Sequence, residues 1–349
     1  MRDFDYSDYK DRLWDAEVVG YLTAIHEYRG KQALYLRQKE ATLSRLVELA
    51  KVQSTEASNA IEGIRTTETR LRQLVAQKTT PRNRDEREIL GYRDALSVVH
   101  ESFEHIPITP NYILQLHKIM LSHTGSSYAG RFKDVQNYIS ATDAQGRRFI
   151  LFTPLTPYET PTAMQALCDA YNLAVGEGAV DPLLLIPSFI HDFLCVHPFI
   201  DGNGRMSRLL TTLLLYRSGY YVGRYVSLEA KISRSKDCYY DALQRSQTGW
   251  HEGAADQTPF IKYILGTVVG AYRDFEDRVA LVDEKPSAVE AVRAAVCQKI
   301  GPFKKADVLE LCPALSAASV ERSLKALCQS GEISKHGNGR ATYYLRETL

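Results

Sequence analysis

Residues 197–208 read His197-Pro198-Phe199-Ile200-Asp201-Gly202-Asn203-Gly204-Arg205-Met206-Ser207-Arg208. Helical apolar patterning from about 183 to 195 precedes this stretch, and more runs from about 204 to 216 after it. The two glycines therefore sit at a helix–helix junction. Without side chains they let backbone amides converge on an anion at the start of the second helix. Asp201 supplies a hard oxygen ligand suited to Mg²⁺. Arg205 and Arg208, three residues apart and so on one helical side, carry donor forks that match phosphate oxygens. His197, with an ordinary pKa of about 6.5, is a candidate proton acceptor near neutral pH. No Gly-Lys-Ser/Thr follows the glycines and no buried strand precedes them, which excludes a P-loop and a dinucleotide fold.

The flanking chain reads as helical almost throughout. Val18, Leu22, Ile25, Leu34, Leu43 and Leu46 recur at three- and four-residue intervals, with Gly30 as a candidate interruption. Ser54–Gly63 has the look of a separate helix of one or two turns, opened by Ser/Thr and closed by Gly63. Thr67 precedes a pattern through Leu71, Leu74 and Val75, and further helices are expected near 88–99, after Pro110, and from Thr156–Glu159 onward. One exception stands out: Val135–Ile139 and Arg148–Phe152 flank a polar turn with Asp143, Gln145 and Gly146, which predicts a hairpin. An exposed edge on that hairpin could pair with an extended peptide. Tyr239 and Tyr240 fall in a probable helix, where one ring could lie beside a base or simply pack. His191 lacks a ligand cluster and reads as a core residue.

Residues 197–208 match the motif H-P-F-x-D-G-N-G-R-x-x-R at every specified position, and in this the chain resembles Fic-domain proteins over about residues 100–270. The resemblance implies a mainly α fold, a Fic-type helical core with a β-hairpin flap, and transfer of AMP from ATP, with Mg²⁺, to a Tyr, Thr or Ser hydroxyl of a target protein. It also implies the roles: His197 as general base, Asp201 on Mg²⁺, Asn203 and the Gly202 and Gly204 backbone on the phosphates, Arg205 and Arg208 on the distal phosphates, and a tyrosine of the 239–240 pair near adenine. Ser58-Asn59-Ala60-Ile61-Glu62-Gly63 resembles the family's inhibitory pattern Ser/Thr-x-x-x-Glu-Gly/Asn, in the subclass that carries it N-terminal to the core. Ser58 and Glu62 share one helical side, and by resemblance Glu62 pairs with Arg208 and displaces the ATP γ-phosphate. Related enzymes transfer other groups or remove AMP, and members often self-associate, so direction and a homo-oligomer stay open.

Three regions are expected: a helical segment 1–99 carrying the inhibitory residues 58–63, a catalytic core 100–280, and a module 287–349 beyond the polar junction Asp283–Ser287. The module's order of three helices and a hairpin tipped by Gly337-Asn338-Gly339 predicts a winged helix. Val320, Leu324 and Leu327 would face inward, leaving Arg322, Lys325, Lys335 and Arg340 for DNA or a protein partner. Residues 291–349 hold nine Lys/Arg against five Asp/Glu, a modest excess. A nucleotide-sensing DNA-binding regulator is thus the competing class. The whole chain is nearly balanced, with 43 basic and 42 acidic residues, which removes any polybasic argument for nucleic acid or membrane. Its six cysteines form no C-x-x-C pair and read as buried hydrophobes in a reducing, cytoplasmic compartment; no span suited to a membrane is apparent.

Overall fold

The side chain of Asp181 accepts the Leu183 amide and Pro182 occupies the first turn, which starts helix α7, Pro182–Val196. Every residue of α7 from Leu183 to Val196 is buried, as expected of a helix apolar on all faces. It packs against α6, Thr160–Glu177, and α8, Asn203–Arg217. These three lie in the first of two compact units of the computed structural model, which describes residues 3–38, 40–142, 146–283, 287–299 and 301–347.

The chain is predominantly helical. Before α6 come α1 (Ala16–Gln38), α2 (Glu40–Ile61), α3 (Glu68–Val75), α4 (Arg84–Ser102) and α5 (Pro110–Met120). Thr67, Asn83 and Thr109 cap α3, α4 and α5 through side-chain oxygens, satisfying amides that have no partner within the helix. Helix α4 packs on α3, α5 and α8. Between α5 and α6 lies an antiparallel hairpin, β1 (Ile139–Thr142) and β2 (Arg148–Phe152), with a register irregularity at Ile139/Ser140. After α8 follow α9 (Leu228–Arg234), α10 (Lys236–Gln247) and α11 (Thr258–Asp283).

The residues divide into two compact units, Met1–Arg29 with Ala50–Ala271, and Gly30–Leu49 with Tyr272–Leu349. In the second, α12 (Ala288–Cys297), α13 (Lys305–Leu311), α14 (Ala317–Gln329) and a hairpin of β3 (Ile333–His336) and β4 (Tyr343–Arg346) surround one core. Val292, Val296, Val320, Leu324 and Leu327 lie in that core beside Phe303 and Tyr344. A reciprocal Ser287–Glu290 capping box starts α12.

Four expectations need correction. Gly30 does not interrupt α1, which continues through it. The Ser54–Gly63 segment is not a separate short helix but the end of the 22-residue α2 and the turn after it. Ser54, Thr55, Ser58 and Asn59 are all buried, so the polar residues that resemble a helix start are the inward face of a helix already under way. The first hairpin strand begins at Ile139 rather than at Val135. The cysteines are mixed: Cys168, Cys195 and Cys312 are buried, Cys238 and Cys297 exposed. Turn residues 143–145 and junction residues 284–286 lie outside the described residues. Among those described, no helix is long and apolar enough to cross a membrane.

Candidate active site

Helix α7 ends at His197, which adopts a left-handed conformation (φ 50°, ψ 61°) while its amide donates to Phe193 O. Histidine tolerates this region better than most residues, at a cost on the order of 1 kcal/mol. The imidazole Nδ1 pairs with Leu194 O at 3.2 Å. Nδ1 therefore carries the proton, which leaves Nε2 with its lone pair. Burial pushes the His197 pKa down to about 4, with nearby Lys133 adding to the shift and Glu62 opposing it. The ring is neutral at pH 7.

Gly202 turns the chain into α8 with φ 86°, and a side chain there would meet Met120 Cε at 2.6 Å. Asn203 closes the loop on itself: its Oδ1 accepts from Phe199 N (2.9 Å) and its Nδ2 donates to Phe199 O (2.7 Å). The amide side chain thus shapes the turn, leaving the α8 N-terminus to offer backbone donors. Asp201 is part-exposed, with its carboxylate 3.4 Å from Arg205 Nη2.

The two arginines diverge. Arg208 is buried; its Nε donates to Ser58 Oγ (2.8 Å), and its Nη2 to Ser58 O and Glu62 Oε1 (both 2.8 Å). The Glu62 carboxylate also lies where any side chain at Gly204 would go, so it sits over the first turn of α8, the natural place for an anion. Gly63, at φ 82°, ends α2 just beyond it. Arg205 is buried and donates to Glu88 Oε2 at 2.7 Å.

A cavity of about 640 Å³ collects these groups, a size suited to a nucleotide. His197, Asp201, Gly202, Asn203, Gly204, Arg208 and Glu62 line it, with Tyr239 and Tyr240 of α10 and Ile139, Ser140 and Ala141 of β1. Tyr239 is buried against Phe260 and Tyr263, while Tyr240 is exposed. Arg205, Ser58 and Gly63 do not line the cavity. His191 is a core residue that accepts from Gln257 Nε2 at 3.0 Å.

Sequence reasoning missed the groups that support the loop from afar. Glu88 bridges Arg205 and Arg84. His117 stacks on Phe199 at 3.7 Å, accepts from Gly130 N (3.0 Å) and donates from Nε2 to Asp201 O (3.0 Å). Lys133 and Asn137 reach the loop from the segment before β1. None carries a spacing signal, because each acts across 60 or more residues of chain.

Burial holds the pKa of His117 at about 4 and of His100 at about 3, and His197 behaves alike. Below the ordinary value of 6.5, the unfolded chain takes up three protons that the folded chain refuses. Stability is therefore full above pH 6.5 and should fall by up to roughly 4 kcal/mol per pH unit on the way to pH 4. Urea unfolding at stepped pH checks this; equal stability at pH 7 and pH 5 would sink it.

Comparison with known proteins shows what the chain is similar to. Residues 107–215 match the Fic/DOC family. Protein adenylyltransferase Fic of Nematostella vectensis is 27% identical over 229 residues, which cover 64% of this chain and 48% of the relative. Protein adenylyltransferase fic-1 of Caenorhabditis elegans is 29% identical over 206 residues, 56% of this chain and 36% of the relative. This chain is thus homologous to Fic-domain proteins of several species, while spanning less than half the length of these two. A crystal structure of a Fic family protein from Desulfovibrio desulfuricans superposes with a TM-score of 0.61 at 20% identity, covering 97% of this chain and 98% of that one. A Fic domain containing signaling protein from Bacteroides thetaiotaomicron gives 0.61 at 24%, covering 72% and 94%. At such identities the likeness is one of fold.

Proposed function

We propose that this chain transfers AMP from ATP to a Tyr, Thr or Ser hydroxyl of a target protein, and that Glu62 restrains the reaction. The observation that carries the reading is one cavity holding a neutral His197, the N-terminus of α8 and Arg208, with the Glu62 carboxylate already on that arginine.

The target hydroxyl attacks the α-phosphorus of ATP while His197 Nε2 takes its proton. The new O–P bond forms as the bond to the β-phosphate oxygen breaks, and pyrophosphate leaves. A polyanion in the cavity opposes the burial that holds the His197 pKa down, so the base strengthens as the donor binds. Amides at the start of α8 stabilise charge on the transferring oxygens, more in the transition state than in bound ATP. Asp201 fits Mg²⁺: it is a part-exposed hard-oxygen carboxylate lining the cavity, the donor type such an ion takes alongside substrate phosphates. When bound, the ion neutralises phosphate charge.

In this reading Arg208 holds the γ-phosphate, and Glu62 occupies its donors in place of that phosphate. Tyr240 flanks the base, and β1 pairs with the target. Residues 287–349 are read as a winged helix whose exposed Arg322, Lys325 and Lys335 suit a phosphate backbone or an acidic protein. Incubating the Glu62→Gly chain and cell extract with ATP labelled at either the α- or the γ-phosphate tests the reaction. Protein should retain the α label alone. Retention of the γ label would make the chain a kinase.

A further inference from the structure

The carbonyls of Val196, the last residue of α7, and of His197, Pro198 and Phe199 after it are consecutive acceptors, and two residues of one short segment donate to all four. Lys133 Nζ donates to Val196 O (3.1 Å) and Lys133 N to Pro198 O (2.8 Å). Asn137 Nδ2 donates to His197 O (3.1 Å) and to Phe199 O (2.9 Å). The pair is joined internally, with Lys133 Nζ donating to Asn137 Oδ1 at 2.8 Å. Lys133 is buried, and an ammonium leaves water at a cost unless its hydrogen bonds are made good. Here it meets the carbonyl end of α7, where a cation is favoured.

Strand β1 begins at Ile139, two residues after Asn137, and Ile139, Ser140 and Ala141 share the cavity with His197. We propose that Lys133 and Asn137 are positioning residues that tie the His197 loop to strand β1, so that the edge presenting the target hydroxyl and the base receiving its proton hold one fixed separation. This rests on the adenylyl-transfer reading for its kinetic consequence. Neither residue touches the nucleotide phosphates' donors, so the clamp acts on the chemical step rather than on ATP affinity. Loop displacement on the scale of 1 Å is enough to lower such a step by roughly 100-fold.

The test introduces Asn137→Asp into the Glu62→Gly chain. Aspartate keeps the acceptor for Lys133 and loses both donors to the loop. Asn137→Ala, which removes both donors without adding charge, serves if the aspartate variant melts early. The expected result is a kcat for AMP transfer roughly 100-fold lower, with ATP affinity by calorimetry unchanged. Amide hydrogen exchange gives a readout independent of catalysis: protection of Lys133 and Phe199 should fall while that of α6 and α8 persists. Parental kcat, a matching loss of ATP affinity, or unchanged protection at Lys133 and Phe199 would each overturn the clamp. If the Glu62→Gly parent transfers no AMP at all, the functional reading has failed, and the exchange measurement still decides whether the clamp exists.

Discussion

Replacing Glu62 by glycine is expected to raise the rate of AMP transfer about 100-fold, since a misplaced reacting group costs on that order. The Glu62 carboxylate accepts from Arg208 at 2.8 Å and lies over the first turn of α8; in the proposed reading a nucleotide enters the cavity with its phosphates held out of line. Removing the carboxylate returns Arg208 and the amides of that turn to the phosphates. The gain should therefore appear in kcat more than in total ATP affinity. Arg208→Ala in the same background should stay slow, because the group that Glu62 occupies is then missing. Initial rates across an ATP titration check both; an unchanged rate in a folded Glu62→Gly protein would dismiss the inhibitory role.

Replacing His197 by alanine in the Glu62→Gly chain is expected to lower transfer by about 10²- to 10⁴-fold, the usual contribution of a positioned base, while nucleotide binding persists. The imidazole supplies no phosphate donor, since Nδ1 is spent on Leu194 O, so affinity should hold. Parental transfer by the alanine variant would remove His197 from the base role.

The candidate loop was legible as a cluster because its residues are local: His197, Asp201, the glycines and Arg208 fall within twelve consecutive residues and converge on one cavity. The helices were legible where apolar period and cap agreed, as for α3, whose start at Thr67 adjoins a clear pattern. The end of α2 was misread because a buried polar face mimics a cap. Ser54 Oγ donates to Ser227 Oγ, 173 residues away, an inward contact that no local pattern announces. Arg205 shows the same limit. Its spacing from Arg208 suggests a shared task, yet Glu88, 117 residues away, draws its guanidinium from the cavity. What sequence periodicity withholds is long-range pairing, and Glu88, His117, Lys133 and Asn137 support the loop in that way alone.

The most direct test of adenylyl transfer is product stoichiometry. Glu62→Gly protein is incubated with ATP, Mg²⁺ and an acceptor protein from extract, and released pyrophosphate is counted against intact protein mass. The expected result is one pyrophosphate for each adenylyl group gained on protein, with both signals lost in the Glu62→Gly/His197→Ala chain. Release of inorganic phosphate or free AMP with no mass gained on any protein, from a chain that binds ATP, would contradict it.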